Sequence, residues 1–327
     1  MSFRKIATAA AVGIMAWAGA SAANAQVVLK WAHVYEAESA YHQASLWAAE
    51  EVARLTDGRV EINVFPASSL GKEVEINEGL AIGAVDIIYT GPSFVERYYG
   101  PIAISDYPFM MRGYEQWLNY RTSDLFSELS DGYGEATDNE VLGLVYYGSR
   151  HVTSNKPILT PEDMVGLKIR VPNSPLMLMF PNAVGANPTP MAFSEVYLAL
   201  QQGVVDAQEN PLPTIQFKRF YEVQSNINLT GHILNSLLVI ASNDALARVG
   251  DDADIVRKVL DLAALRASGE IRQSEQELVA WFRDQGITVN EVDQAPFRDA
   301  VLPLLTGEGV PYTMEQFDRL AAIPGNE

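Results

Sequence analysis

The sequence predicts an α/β fold of two similar lobes, on three observations. Strand-like and helix-like stretches alternate from Val27 to Thr90, which is the grammar of a parallel sheet with helices on its faces. Leu80-Ala81-Ile82-Gly83-Ala84-Val85-Asp86 is echoed by Leu200-Gln201-Gln202-Gly203-Val204-Val205-Asp206. In both, a helix stops at glycine and a strand opens on Val-Asp, so one topology is used twice. A helical pattern without proline then runs from Asn243 to Gln285, longer than one small domain is wide and long enough to bridge two.

Each element has a local reason. Val27 to His33 reads as the first strand, followed by the polar turn Tyr35-Glu36-Ala37-Glu38-Ser39. Leu46, Ala49, Val52 and Ala53 recur at helical spacing within a helix from Ala40 to Leu55, which Asp57-Gly58 ends. Val60, Ile62 and Val64 share one face of the next strand, Val60 to Phe65. A helix from Glu73 to Ile82 stops at Gly83, and Ala84 to Thr90 is a strand. Tyr114 to Leu129 reads as a helix, and Glu140 to Tyr147 as a strand ending at Gly148-Ser149-Arg150-His151. Thr160-Pro161-Glu162-Asp163 is a helix start, with a Thr cap, Pro at the first position and an acid three residues on. The strand Leu167 to Pro172 follows, then helices over Pro175 to Ala183 and Phe193 to Gln201 and a strand from Val204 to Gln208. Ile233 to Ala241 is a buried strand, Ile287 to Val292 a last one, and Met314 to Ala322 a final short helix. Gly269 is the weak point of the long helical pattern.

Residues 1–25 form a signal peptide by pattern: Arg4 and Lys5, the apolar run Ile6 to Gly19, and the cleavage site Ala23-Asn24-Ala25. Cleavage after Ala25 leaves 302 of the 327 residues, room for two domains. Loss of Arg4 and Lys5 takes the formal charge from −18 to −20. Such acidity disfavours nucleic acid and anionic lipid as partners. No later stretch is long and apolar enough for a membrane span. There is no cysteine, and His33, His42, His151 and His232 are too scattered to form a metal-ligand motif. No nucleophile elbow, phosphate-cradling glycine loop or His-Glu-x-x-His occurs. Neither a catalytic residue, a metal nor a cofactor is therefore expected.

The positive charges carry the functional signal. Between Val171 and Phe217 there is no Lys or Arg, so Arg170 is the one fixed cation of that span. It sits on a strand before Pro172-Asn173-Ser174, and Arg150 directly follows another strand. Asn210 ends a third, before Pro211. Strand ends of open parallel sheets are where ligands bind, and a planar guanidinium fits a carboxylate better than an ammonium does. Either the two arginines converge on one ligand carboxylate, or each pairs with one of the many acids. Phe193 is a platform for a sugar ring or a core residue. Glu73, with Glu75, faces a ligand or simply favours its helix dipole. His33 donates to a ligand hydroxyl or is a satisfied core histidine.

The run Gly148-Ser149-Arg150-His151-Val152-Thr153-Ser154-Asn155-Lys156-Pro157 resembles the hinge motif of the solute receptors of tripartite ATP-independent periplasmic (TRAP) transporters. The strand Gly166 to Asn173, the run Pro188 to Leu200 and Asp206-Ala207-Gln208-Glu209-Asn210-Pro211 match as well, as do Phe220 to Gln224 and Leu229 to Ile233. The resemblance implies a two-lobe periplasmic binding protein fold, each lobe a mixed sheet flanked by helices, with a long helix spanning both. Lobe I would take residues 26–147 and 236–275, and lobe II residues 148–235 and 276–327. It further implies a periplasmic binding protein, not an enzyme, that hands a small carboxylate to the small and large TRAP membrane subunits. Arg170 would make the principal bridge to the carboxylate, Arg150 and Asn210 would help hold it, and Phe193 would pack on the ligand. His33, Glu73 and Asn173 would lie near the cleft. Thr90-Gly91-Pro92 and Val34 depart from the sialic-acid receptors, so a hexuronate or related sugar acid is expected. A C4-dicarboxylate, a 2-oxo acid or sialic acid stays open, as do a receptor for an ABC-type importer and an exported hydrolase of acidic sugars.

Overall fold

A computed structural model describes residues 26–307 and 309–325. The expected signal peptide and its cleavage site lie outside the described residues. The first third runs β1 (Val27–Ala32), α1 (Ala40–Leu55), β2 (Val60–Phe65), α2 (Glu73–Ala81), β3 (Ile87–Thr90), α3 (Pro92–Val95), α4 (Tyr114–Arg121) and α5 (Asp124–Thr137). The middle runs β4 (Asn139–Ser154), β5 (Lys168–Val171), α6 (Met179–Ala183), β6 (Asn187–Pro190), α7 (Val196–Gln201), β7 (Ala207–Pro211) and α8 (Leu212–Phe217). The last part runs β8 (Asn226–Ser242), α9 (Asn243–Val249), α10 (Ala253–Asp284), β9 (Thr288–Asn290), α11 (Ala295–Leu305) and α12 (Met314–Ala322).

The strands follow the order β2-β1-β3-β8-β4-β7-β5-β6, with β9 also on β8. The β1–β2, β1–β3, β5–β6 and β5–β7 pairs are parallel, whereas β3–β8, β4–β8 and β4–β7 are antiparallel. Each lobe is therefore a mixed sheet. The lobes share β4 and β8: Val141 to Tyr146 pairs with Ser236 to Ile240 beside β3, and Val152 to Ser154 pairs with Asn226 to Asn228 beside β7 and β9.

The strand expected to end at Gly148 instead continues through it to Ser154. Gly148 has φ +114°, and a Cβ there would lie 2.7 Å from Glu275 Oε1 and 2.8 Å from Pro211 Cβ. Glycine is thus required by conformation and by space. The register slips between Tyr146 and Gly148, leaving Tyr147 as the extra residue of a bulge. Residues 147 and 150 would face opposite sides of a regular strand. The bulge resets the alternation, and both line one cavity.

Two expected helices are split. The 114–129 stretch breaks at Thr122-Ser123, where the Ser123 side chain caps α5 by accepting from Phe126 N. The 243–285 stretch breaks at Gly250, φ +65°, and resumes as α10. The expected weak point, Gly269, lies inside α10 facing open space. At about 1.5 Å per residue α10 is about 48 Å long. Val256, Leu260, Ala263, Ala267 and Ile271 enter the larger apolar core, while Leu278 and Phe282 enter a second one with Ile215, Phe220 and Val289. One helix thereby packs on both lobes.

Candidate functional site: a cleft with one uncommitted guanidinium

The carboxyl ends of the parallel strands of both lobes point at a cavity of about 240 Å³. Tyr35 follows β1, Gly91 and Ser93 follow β3, Arg170 and Pro172 end β5, Met191 follows β6 and Asn210 ends β7, and all line it. This is where open α/β sheets hold ligands. Of the residues singled out in the sequence, Arg170, Arg150, Asn210, Phe193, Asn173 and Glu73 lie together on its walls. His33 does not: it is buried, accepts from Tyr35 N at 3.2 Å and lies 3.2 Å from His42 Nδ1 through its Nε2. It is a satisfied core histidine.

The two arginines differ in what they hold. Arg150 Nη2 donates to Glu209 Oε1 at 2.7 Å and Glu209 O at 2.8 Å, and Nη1 to Asn235 Oδ1 at 2.8 Å. Nε donates to Glu209 Oε2. Burial pushes the Glu209 carboxyl up, but the Arg150 charge and the hydrogen bonds of His232 and Arg150 outweigh it and hold it at about 2. Asn235 is in turn fixed by Nδ2 donating to Asp106 Oδ2 at 2.7 Å. Of the five N–H groups of a guanidinium, Arg150 keeps little for a ligand.

Arg170 is 2% exposed. Its Nε and Nη2 donate to one carbonyl, Met191 O, at 3.0 and 2.6 Å. Among the described residues it makes no ion pair, and three of its N–H groups are left over. Burial and the Arg150 charge lower its pKa to about 10, against the attraction of Glu209, so it stays charged at neutral pH. A buried cation without an anion is costly, and this one stands at the cleft wall.

The remaining walls are part polar, part apolar. Glu73 Oε1 accepts from Gly91 N at 2.9 Å and from Thr90 Oγ1 at 3.1 Å. Burial pushes its carboxyl up to about 7, against those two donors and the charges of Arg170 and Arg150. Asn210 Oδ1 accepts from Tyr147 OH and Arg150 Nη2, each at 3.2 Å, and its Nδ2 donates to Gln208 Oε1 at 2.6 Å. Its amide is largely occupied in orienting Arg150. The Phe193 ring lies 6.1 Å from that of Tyr35, with Lys218 Nζ 4.9 Å from its centroid. Asn173 is exposed at the edge of the cavity.

Three contacts cross the cleft. Ser174 Oγ donates to Ser93 O at 2.7 Å, Lys218 Nζ pairs with Glu36 at 2.6 Å and Lys72 Nζ with Glu195 at 2.5 Å. The lobes are closed on the cavity. Sequence reasoning missed Tyr35, Tyr147 and Asn235 in its walls. Asn235 had a signal, a polar residue inside the apolar run Ile233 to Ala241. Tyr147 had none, because its direction is set by the bulge.

The profile of bacterial extracellular solute-binding protein, family 7, matches residues 31–308. The chain belongs to that family. A Roseobacter denitrificans solute-binding protein is 35% identical to this family 7 protein over 321 residues, 96% of this chain and 98% of the relative. The solved structure of that relative, a TRAP periplasmic solute binding protein with bound L-galactonate, has a TM-score of 0.83 at 33% identity, over 89% of this chain and 99% of that one. The Vibrio cholerae sialic acid-binding periplasmic protein SiaP is 33% identical over 294 residues, 90% of this chain and 92% of the relative. A TRAP periplasmic solute binding protein from Polaromonas bound to D-erythronate has a TM-score of 0.87 at 28% identity, over 92% of this chain and 100% of that one. Family 7 proteins are solute-binding proteins of transport and not enzymes, so the hydrolase reading falls. Among the described residues no helix is long and apolar enough to cross a membrane.

Proposed function

We propose that this family 7 protein captures a carboxylated sugar in the periplasm and delivers it to the small and large subunits of a TRAP transporter. The ligand is a hexuronate or a related sugar acid held between the lobes. The observation that carries this reading is Arg170, a buried guanidinium with spare N–H groups and no anion of its own, at the carboxyl ends of strands from both lobes. Each charge-assisted hydrogen bond it gives a carboxylate contributes about 1.5–3 kcal/mol. Arg150 and Asn210 serve mainly to shape the wall beside it, Phe193 packs on the ligand's carbon skeleton, and Glu73 and Asn173 receive hydroxyls. His33 has no part in the site. The lobes divide near Gly148 in β4 and Asn235 in β8, where the strand partners change. L-Galactonate in the Roseobacter relative and D-erythronate in the Polaromonas one support a polyhydroxy monoacid.

A thermal-shift screen of aldonates, hexuronates, C4-dicarboxylates and uncharged hexoses tests it. A ligand at 100 times its Kd stabilises by about 2.7 kcal/mol, enough to move Tm visibly. At least one sugar acid should raise Tm while the uncharged hexoses do not. A shift with succinate alone, or equal shifts with neutral sugars, contradicts the proposal.

A further inference from the structure

The part of the wall supplied by α2 carries a second unfilled valence, opposite in sign to Arg170. Glu73 Oε1 is pinned by Gly91 N and Thr90 Oγ1. Thr90 Oγ1 accepts from Asn77 Nδ2 at 2.9 Å, so its proton is directed to Glu73. Asn77 Nδ2 also donates to the carbonyl of Glu73 at 2.8 Å. The carboxyl group is thus oriented by fixed donors, while Oε2 receives no hydrogen bond among the described residues. The other cations of the cavity are committed. Arg150 holds Glu209, and Lys72 holds Glu195 at the mouth. Glu75, the neighbouring acid of the lining, accepts from Lys72 N at 2.8 Å and adds negative charge to the same wall. Arg170 and Glu73 remain to face a ligand inside the cavity, with Glu75 exposed at its mouth.

We infer that Glu73 makes the cavity selective for monocarboxylates: it accepts a hydroxyl from the ligand and repels a second carboxylate. This rests on the reading that the ligand's first carboxylate sits at Arg170. A ligand hydroxyl completes the acceptor that Oε2 leaves open. Once Glu73 is ionised, above its raised pKa of about 7, a terminal carboxylate there meets a like charge with no cation to share, which is selection by repulsion as well as by fit.

The test is calorimetry with L-galactonate and galactarate, which differ at one terminal carbon by CH2OH against carboxylate. At about pH 8.5, where Glu73 is ionised, the wild type should bind L-galactonate at least ~30-fold more tightly than galactarate, since like-charge juxtaposition is that costly. Glu73→Gln keeps an acceptor for Gly91 N and removes the charge, so it should bring the two affinities within ~3-fold by gaining galactarate binding. Glu78→Gln, the same charge change on the same helix but outside the cavity lining, where Glu78 pairs with Arg97 at 3.4 Å, should leave the wild-type ratio in place. Apo melting temperatures of both variants show whether they fold. Equal affinities in the wild type, an unchanged ratio in Glu73→Gln, or the same collapse in Glu78→Gln overturns the inference while leaving the sugar-acid reading intact. Binding of neither probe by the wild type, together with no thermal shift from any sugar acid, overturns that reading and this one together.

Discussion

Arg150 grips Glu209 with Nε on one carboxylate oxygen and Nη2 on the other, and that grip decides which cavity arginine is free for a ligand. The pair is buried, with side chains 3% and 2% exposed. Truncating one partner of such a pair leaves the other as an uncompensated charge, which costs about 3–5 kcal/mol. Arg150→Ala should therefore destabilise the apo protein by that amount in urea unfolding. Arg170→Ala, which removes a cation with no acid partner, should leave apo stability unchanged or raised. Equal losses in the two variants would mean that the division of labour between the arginines is misassigned.

Gly148 sets the direction of Tyr147 and Arg150, and its φ of +114° with Glu275 Oε1 and Pro211 Cβ on its open side leaves no place for a methyl group. Glu275 accepts from Ser149 N at 2.7 Å and from Tyr146 OH at 2.8 Å, so α10 clasps the bulge from both sides. Gly148→Ala should cost about 1–3 kcal/mol of stability and weaken ligand binding as well. A variant as stable as the wild type would show that the bulge is not held as described.

Lys218–Glu36 and Lys72–Glu195 join the lobes across the cleft, so they form only when it is closed. Lys218→Ala should weaken ligand binding by up to about fivefold, the range of a partly exposed pair, and mainly by faster dissociation. The difference from the wild type should shrink as salt rises. Stopped-flow release rates at low and high salt provide the check, and a change confined to the association rate would count against it.

His33 is held neutral: burial first, then the His42 charge, lowers its pKa to about 3. Its folded pKa lies below the unfolded value of about 6.5. The unfolded chain therefore binds the extra proton between those limits. The stability this histidine contributes is complete above about pH 6.5 and is lost as pH falls toward 3, at up to about 1.4 kcal/mol per pH unit. Against His33→Gln, the wild type should lose ground steadily below pH 6.5 in thermal melts. A pH-independent offset between the two would refute the assignment.

Much of the scaffold was legible because local pattern and tertiary role agree. α1, β2 and α12 fall on the residues that periodicity and capping marked out. The misses have tertiary causes. The sequence pattern ends the strand at Gly148-Ser149, yet α10 packs against that point and the strand runs on. β7 sits at Ala207–Pro211, three residues later than expected, because Val204 lies in the preceding turn, 53% exposed. α11 went unread because Pro303 interrupts its pattern. In the site, Arg170 stood out as the lone cation before a long span without Lys or Arg. The commitment of Arg150 did not, since Glu209 lies 59 residues away and is brought beside it only by the antiparallel β4–β7 register. His33 ends the first strand as a ligand residue would, but its two ring nitrogens are already occupied within the first lobe.

Isothermal titration of the sugar acid that raises Tm most into the wild type and Arg170→Ala addresses the role of the free guanidinium most directly. Loss of a buried charge-assisted pair should lower affinity at least ~100-fold, equivalent to about 2.7 kcal/mol or more, with the apo fold intact by melting temperature. Unchanged affinity in Arg170→Ala would contradict the account.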